Sequence, residues 1–215
     1  MFVKDYMTRH PIMVDPETTI IEAQTIIAEN NIRHLPVVGD GKRLMGLITR
    51  QRMRIPPTEL ASLNVWEITK YLSNLRVKDV MVKQRDVITI NPDSTLENAA
   101  IRMIEEKIGS LLVLDGEVVI GIITDTDMMI QLTEVLGANE PGVRVTVRMP
   151  NVKGELAKVM GAITEQGWGI YASGGVKTPK DPGHWDCVIK IRNVSKDEVL
   201  PILEKIETQE VIDIR

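Results

Sequence analysis

The sequence predicts a protein of the mixed α/β class, in which one small unit occurs twice and a different unit follows. Three observations support this prediction. The chain contains an internal repeat, each copy has apolar residues at helical and strand spacing, and the pattern changes after Leu136. A chain of 215 residues is long enough for more than one such domain.

The repeat is recognised from two segments, Pro16–Ile20 and Pro92–Leu96, which lie 76 positions apart. Both contain a proline, an acidic residue, two hydroxyl residues and an aliphatic residue. The match continues with Asp5–Met7 and Asp79–Met81, Leu35–Val38 and Leu111–Leu114, and Gly46–Thr49 and Gly121–Thr124. A match of this length indicates that one supersecondary unit is used twice.

Each copy has the pattern of a short strand, a helix, two strands and a second helix. Thr19 and Glu22 have the spacing of a helix capping box, and Ser94 and Glu97 are expected to open the equivalent helix. Apolar residues at helical spacing follow both caps.

The two strands of each copy are predicted to form a β-hairpin. In the first copy the strands are Leu35–Val38 and Leu44–Ile48, and the turn of the second copy is Asp115–Gly116. A helix is predicted near Thr58–Leu72, between the copies. A unit of about 60 residues buries too little surface to be stable alone, so the two copies should pack together.

The third unit has a different order of elements. Residues 137–142 read as a linker, and alternating apolar residues from Val143 predict a half-buried strand. The predicted elements that follow are a helix with Leu156, Val159, Met160 and Ile163 on one face, strands near Ile170–Val176 and Trp185–Ile191 joined by a loop, a helix capped by Ser195, and a strand at Val211–Ile214. The order βαββαβ predicts a ferredoxin-like sandwich.

Composition excludes several functional classes. The formal net charge is −4 and only 3% of residues are aromatic, which argues against binding to nucleic acid. No apolar run approaches the ~20 residues of a membrane helix, so no membrane association is expected. The single Cys187 excludes an intramolecular disulfide, and the first residues do not resemble a secretory signal, so a cytoplasmic location is expected.

The duplicated unit resembles the CBS domain, which occurs in tandem pairs called Bateman modules. The resemblance rests on Met7–Thr8, on Ile32–Val38 and on the Gly-aliphatic-aliphatic-Thr-x-x-Asp motif that ends at Asp127. The third unit resembles an ACT domain, in which Gly154 and Leu156 fit the usual turn motif whereas Asn151 and Lys153 depart from it.

The resemblance implies a domain organisation and an overall packing. It implies two CBS repeats packed as a pseudo-twofold pair, followed by a ferredoxin-like ACT domain. The implied boundaries are 1–74 for the first repeat with a linker helix, 75–136 for the second repeat, 137–142 for a linker and 143–215 for the ACT-like domain.

The resemblance also implies a cleft for an adenosine nucleotide. In CBS pairs the acid of the Thr-x-x-Asp motif, here Thr124 and Asp127, accepts hydrogen bonds from both ribose hydroxyls. A carboxylate suits this role because it has only acceptors. The same spacing is that of a helix capping box, so a purely structural role is the alternative.

The other residues of this cleft are carried over by position. They are Ile122, Pro11, Ile12, Ile32, Arg33 and His34. Arg33 would contact phosphate, although a solvated charge is the alternative. In the first copy Arg52 stands where the carboxylate should be, and arginine has no acceptor. The corresponding cleft, with Thr49, Gly109 and Ser110, is therefore expected to be degraded or altered.

A second ligand site is implied in the ACT-like unit. Asn151, Gly154 and Glu155 precede or begin a helix, whose free N–H groups would favour the carboxylate of an amino acid or another small acid. The alternatives are that this turn only caps the helix, or that the domain serves only in dimerisation.

No catalytic motif is found. His10, His34 and His184 are scattered, and the sequence has no metal-binding or phosphate-loop signature. The sequence therefore predicts a non-catalytic regulatory protein without a cofactor or metal, a homodimer that binds AMP, ADP, ATP or S-adenosylmethionine. Binding would act allosterically through residues 136–142. The alternative is a constitutive dimerisation scaffold with vestigial clefts.

Overall fold

The computed structural model describes residues 1–53, 64–178 and 181–215. The chain forms two compact units, Met1–Met128 and Met129–Arg215. We call these the first unit and the second unit and describe each by itself.

The first unit contains both copies of the repeat as far as Met128, and the last helix of the second copy continues into the second unit. The elements of the first copy are α1 (Val3–Tyr6), β1 (Thr8–Arg9), α2 (Ile20–Glu29), β2 (His34–Val38), β3 (Leu44–Thr49) and α3 (Val65–Asn74). The elements of the second copy are α4 (Val77–Val80), β4 (Val82–Lys83), β5 (Thr89–Ile90), α5 (Leu96–Glu106), β6 (Ser110–Asp115), β7 (Val118–Thr124) and α6 (Asp125–Val135). The helix predicted at Thr58–Leu72 lies in part outside the described residues, and its described part belongs to α3.

The caps of α2 and α5 occupy equivalent positions of the repeat. Thr19 Oγ1 accepts a hydrogen bond from the Glu22 N–H at 3.1 Å, which confirms the predicted cap of α2. Helix α5 is capped by Thr95, whose Oγ1 accepts from the Asn98 N–H at 3.2 Å. The predicted cap at Ser94 is therefore wrong by one residue, because the threonine that matches Thr19 in the repeat takes the role.

Both predicted hairpins are present, and the copies exchange their short leading strands. Strand β2 pairs with β3, and β6 pairs with β7, in antiparallel register. Strand β1 of the first copy pairs with β7 of the second, and β4 of the second copy pairs with β3 of the first. The sheets are therefore β2-β3-β4 and β1-β7-β6-β5. Each sheet is completed by the other copy, so neither copy forms its sheet alone.

Glycines make this exchange sterically feasible. A Cβ at Gly46 would collide with the carbonyl oxygen of Val82 on β4, and one at Gly121 would collide with the sulfur of Met7 beside β1. Gly46 and Gly121 are equivalent in the repeat. The close approach of the exchanged strand thus explains why both copies have glycine at this position.

An apolar cluster lies between the copies. Each of the two larger cores combines residues of both copies: the first contains Val77 and Met81 of the second copy, and the second contains Val3 and Met7 of the first. The cluster that joins them consists of the buried residues Leu44, Leu112, Val119 and Ile122. The backbone N–H of Leu44 donates to the carbonyl of Glu117 at 3.0 Å, which ties the two hairpins together. The predicted packing of one copy on the other is thus observed.

The second unit has the βαββαβ order that the sequence predicts. Its elements are β8 (Val143–Pro150), α7 (Glu155–Glu165), β9 (Gly169–Thr178), β10 (Asp181–Arg192), α8 (Lys196–Leu203) and β11 (Glu210–Ile214). The sheet order is β11-β8-β10-β9, and all pairs are antiparallel. This is the ferredoxin-like arrangement, with two helices packed on one sheet. Cys187 is buried in its core.

Strands β9 and β10 are longer than predicted. The predicted bounds are too narrow, because β9 continues to Thr178 and β10 begins at Asp181, and residues 179 and 180 of the predicted loop lie outside the described residues. Thr178 Oγ1 donates to the carboxylate of Asp186 at 3.1 Å, and the guanidinium of Arg148 donates to it at 2.7 and 2.9 Å. These cross-strand bonds stabilise the extension, and no local sequence pattern encodes them.

Candidate functional site

Thr124 and Asp127 lie at the junction of β7 and α6, and their side chains are in contact. Asp127 Oδ2 accepts hydrogen bonds from the Thr124 N–H at 2.7 Å and from Thr124 Oγ1 at 2.8 Å. Both residues are half-buried. Within the described residues no hydrogen bond is recorded for Asp127 Oδ1. The carboxylate therefore caps the helix start with one oxygen and has acceptor capacity on the other.

Arg33 reaches from the first copy to this helix start. Its Nη2 lies 2.5 Å from Asp125 Oδ1 and 3.3 Å from Thr126 Oγ1. Partial burial would raise the pKa of the Asp125 carboxyl. The hydrogen bond and charge of Arg33 outweigh burial, so that the pKa lies below its ordinary value. Both side chains are about half exposed, at 52% and 48%, so the pair contributes at most about 1 kcal/mol.

His34 is the first residue of β2 and lies opposite Thr49 in the sheet. Burial lowers the pKa of its imidazole, and the charge of Arg33 lowers it further, while Asp125 acts weakly in the opposite direction. The imidazole is therefore neutral at pH 7. His34 can donate or accept a hydrogen bond there, but it does not serve as a cation.

The apolar residues predicted for the cleft of Thr124 and Asp127 do not form a single cluster. Ile122 is 7% exposed and belongs to the cluster between the copies. Pro11 and Ile12 follow β1, and Ile12 is 41% exposed. Ile32 packs against the core of the first copy. All four residues belong to the first unit, as Asp127 does.

The cleft of Thr49 and Arg52, which corresponds in the repeat to the cleft of Thr124 and Asp127, is a cavity of about 680 Å³. Its lining includes Thr49, Arg52, Gly109 and Ser110, as carried over by position. The backbone N–H of Arg52 donates to Thr49 Oγ1 at 3.3 Å, so here the hydroxyl accepts, whereas Thr124 donates to its carboxylate. Arg33 and His34, expected on the opposite cleft alone, also line this cavity.

Sequence reasoning missed two cations of this cavity, Arg50 and Lys107. The signal was present, because Arg50 aligns with Asp125 in the repeat and Lys107 aligns with Asn31. Lys107 is the C-cap of α5 and Asn31 follows the C-cap of α2, and both have positive φ, at 54° and 50°. The chain thus turns in a similar way at both positions, but only the second copy has a cation there.

In the second unit, Asn151 and Glu155 line a cavity of about 300 Å³ whose other walls are mostly apolar. Gly154, with φ of 97°, precedes α7. Glu155 is buried, and its carboxylate accepts hydrogen bonds from Lys158 at 2.5 Å and Thr208 at 2.6 Å.

Hydrogen bonds fix the charge of Glu155. Those from Lys158 and Thr208 overcome desolvation and, with Gln209 and the charge of Lys158, lower its pKa from 4.5 to about 2. The carboxylate thus holds Lys158 and the segment before β11, which gives Glu155 a structural role within the unit, but it does not cap α7, whose N-cap Gly154 has no side-chain hydrogen bond.

Within the described residues, no helix is long and apolar enough to cross a membrane.

Comparison with curated proteins finds relatives that share a segment of this chain. An L-aspartate semialdehyde sulfurtransferase from Methanocaldococcus jannaschii is 31% identical over 127 residues, which are 59% of this chain but 22% of that enzyme. The next relatives, homoserine O-acetyltransferases of archaea such as Methanohalobium evestigatum, are matched over 22–23% of their length. The chain therefore spans less than a quarter of these enzymes.

Two solved structures match the chain over almost their whole length. A putative acetoin utilization protein (AcuB) from Vibrio cholerae has 32% identity and a TM-score of 0.53, covering 66% of this chain and 98% of that one. The CBS domain pair of protein MJ0100, in complex with 5′-methylthioadenosine and S-adenosyl-L-methionine, has 27% identity and a TM-score of 0.51, covering 65% and 98%.

The model of the CBS domain matches residues 3–54 and 77–134. These segments coincide with the two copies of the repeat, whose hairpins exchange their leading strands in the first unit. The protein therefore belongs to the CBS domain family, with a tandem pair of these domains.

Proposed function

We propose that the CBS pair is a sensor that binds an adenosine ligand in the cleft of Thr124 and Asp127. The ligand class is AMP, ADP, ATP or S-adenosylmethionine. The observation that carries the proposal is the half-buried Asp127 carboxylate, which Thr124 fixes at a strand-to-helix junction beside a cation from the other copy. MJ0100, with 27% identity, binds two adenosine compounds in its CBS pair.

Asp127 has the chemistry to hold the ribose. Two donors from Thr124 fix the orientation of the carboxylate through Oδ2. Each carboxylate oxygen has two lone pairs, so capping leaves capacity for two ribose hydroxyls. A group that is already oriented loses little conformational entropy when the ligand binds.

Arg33 distinguishes ligands with and without phosphate. Its guanidinium is held by Asp125, but this ion pair is half exposed and therefore weak. A ligand phosphate can replace Asp125 as the partner because arginine binds phosphate through two parallel hydrogen bonds. Arg33→Ala should therefore weaken AMP and ATP by about tenfold and leave 5′-methylthioadenosine within about twofold.

The regulatory role follows from the position of the cleft between the copies. A ligand that contacts α6 of one copy and Arg33 of the other stabilises one relative packing of the two. Such a shift requires a different affinity for each arrangement. We propose that the change passes through residues 136–142 and that the protein itself catalyses no reaction.

A homodimer is part of this proposal. Helix α6 carries four exposed apolar side chains on its later turns: Met129 at 60%, Ile130 at 48%, Leu132 at 51% and Val135 at 45%. Exposed apolar residues in such density are typical of an interface. Light scattering should give twice the mass of the chain, and a monomer would contradict this part.

For the second unit we propose an ACT-like domain with a small-acid or amino-acid effector near Asn151 and Gly154. The cavity of about 300 Å³ supports this proposal. The engagement of Glu155 by Lys158 and Thr208 supports the opposing interpretation, in which Glu155 has only a structural role. Titration with the twenty amino acids distinguishes the two, since only an effector site would produce heat.

A thermal-shift panel with AMP, ADP, ATP, S-adenosylmethionine and 5′-methylthioadenosine tests the sensor. A ligand at one hundred times its Kd should add about 2.7 kcal/mol to the free energy of unfolding. If none of the five raises the melting temperature, the constitutive scaffold is the better description. Formation of a nucleotide product in the same samples would contradict the non-catalytic assignment.

A further inference from the structure

The cavity of about 680 Å³ in the first unit differs in charge from its counterpart cleft. Besides Arg33, three cationic side chains line it: Arg50, Arg52 and Lys107. Their counterparts by repeat position are Asp125, Asp127 and Asn31. All three positions therefore carry a more positive charge in this cleft than their counterparts do in the other copy. Loss of the ribose acceptor at Arg52 does not by itself account for the cations at Arg50 and Lys107.

The cations are available to a ligand. All three residues are exposed, and no ion pair of theirs is found within the described residues. The Arg50 guanidinium donates one long hydrogen bond, of 3.5 Å, to the carbonyl oxygen of Ile32. Arg33, a fourth cation of the lining, is paired with Asp125. In the described lining the single carboxylate is that of Asp86. The cavity therefore has a positive potential in a protein whose net charge is −4, and it should attract anions.

The shape of the cavity selects an anion larger than inorganic phosphate. Half-buried apolar side chains form part of the wall: Leu47, Val82, Val87 and Ile88. A cavity of this volume falls in the range that holds a ligand of drug size. The lining thus combines a cationic side with an apolar side, which suits an amphipathic ligand.

We propose that this cavity binds a metabolite with a diphosphate or triphosphate group, with the phosphates against Arg50, Arg52 and Lys107. Guanidinium groups bind phosphate oxygens through two parallel hydrogen bonds, and Lys107 adds a point charge. Arg52 offers no acceptor for a ribose diol, so binding depends on phosphate and not on sugar. The protein thus has two different ligand sites instead of one site and one vestige.

Calorimetry with pyrophosphate and tripolyphosphate as probes tests this proposal at low ionic strength. We expect one binding event per chain, weakened by added salt because the attraction is electrostatic. Arg52→Ala and, independently, Arg50→Ala should each lower the affinity by about tenfold or more. The matched control is Arg102→Ala, which removes the same charge from an exposed position of α5 outside the lining.

Melting curves verify that each variant is folded before its affinity is compared. The proposal is overturned if neither probe binds at millimolar concentration, or if Arg102→Ala weakens binding as much as Arg52→Ala. A further titration is made in the presence of excess S-adenosylmethionine. Unchanged pyrophosphate affinity supports two sites, whereas competition would show that the cations serve the adenosine cleft and would overturn the proposal.

Discussion

The substitution Asp127→Asn isolates the role of the carboxylate in ligand binding. Asparagine has nearly the same shape, and its one carbonyl oxygen can still accept the two hydrogen bonds of Thr124, now made at 2.7 and 2.8 Å. The amide NH₂ then faces the ribose in place of Oδ1. A charged acceptor is thereby replaced with a neutral donor at the point where the two hydroxyls would donate.

The expected loss can be worked from these contacts. A hydrogen bond to a charged group contributes about 1.5–3 kcal/mol, and two hydroxyls set a ceiling of about 3–6 kcal/mol. The hydroxyls can accept from the new NH₂ group, so we expect about half of the ceiling, about 1.5–3 kcal/mol. This corresponds to a Kd that is about 10- to 150-fold higher.

Titration calorimetry with AMP and 2′-deoxy-AMP measures this loss and assigns it to the sugar. The wild-type protein should bind 2′-deoxy-AMP more weakly than AMP. The Asp127→Asn variant should show a smaller difference between the two ligands, because the interaction of the carboxylate with the 2′-hydroxyl has already been removed. The matched control is Glu198→Gln. Glu198 accepts from the N–H and Oγ of Ser195 in the same geometry, at 2.8 and 2.6 Å, but lies in the second unit.

Both substitutions weaken a helix cap and should cost about 1 kcal/mol or less in the free energy of unfolding. Only Asp127→Asn should change the affinity. If Asp127→Asn binds AMP within about twofold of the wild-type protein, the carboxylate does not hold the ribose and the assignment of the cleft is refuted.

Three further predictions follow from the same geometry. Arg52→Asp should supply the missing acceptor in the corresponding cleft and raise the calorimetric stoichiometry for AMP from one to two per chain; no change would contradict the role of Arg52. Gly46→Ala should destabilise the first unit by about 1–3 kcal/mol in urea, because its Cβ would collide with the carbonyl of Val82; a neutral effect would contradict the strand exchange. Glu155→Gln should lower the melting temperature at neutral pH. Because folding lowers the pKa of Glu155 from 4.5 to about 2, its stabilisation is present above pH 4.5 and lost as the pH falls towards 2, so the difference between variant and wild type should vanish there.

The duplication made much of the first unit predictable. The hairpins and the cap at Thr19 follow from local patterns that occur twice, and comparison with Thr19 would have placed the second cap at Thr95 instead of Ser94. The exchange of β1 and β4 was not predictable. Each has two residues, too few for a pattern, and pairing is determined by packing against Gly46 and Gly121.

Contacts between residues distant in sequence limited the prediction of the candidate site. The Arg33–Asp125 pair joins residues 92 positions apart, and Glu155 meets Thr208 across 53 positions. No local spacing encodes either contact. The difference between Asp127 and Arg52 could be predicted by aligning the two copies of the repeat. The further cations that lie near Arg52 were not predicted. The cleft with Arg52 forms an open cavity whose cations come from several elements.

The number of adenosine ligands bound per chain tests the account most directly. Native mass spectrometry of the wild-type protein with excess S-adenosylmethionine or AMP reports this number together with the oligomeric state. The account predicts one ligand per chain in a dimer, because one copy supplies Asp127 and the other supplies Arg52. Two ligands per chain would show that the arginine does not prevent binding, and no ligand at all would contradict a sensory role.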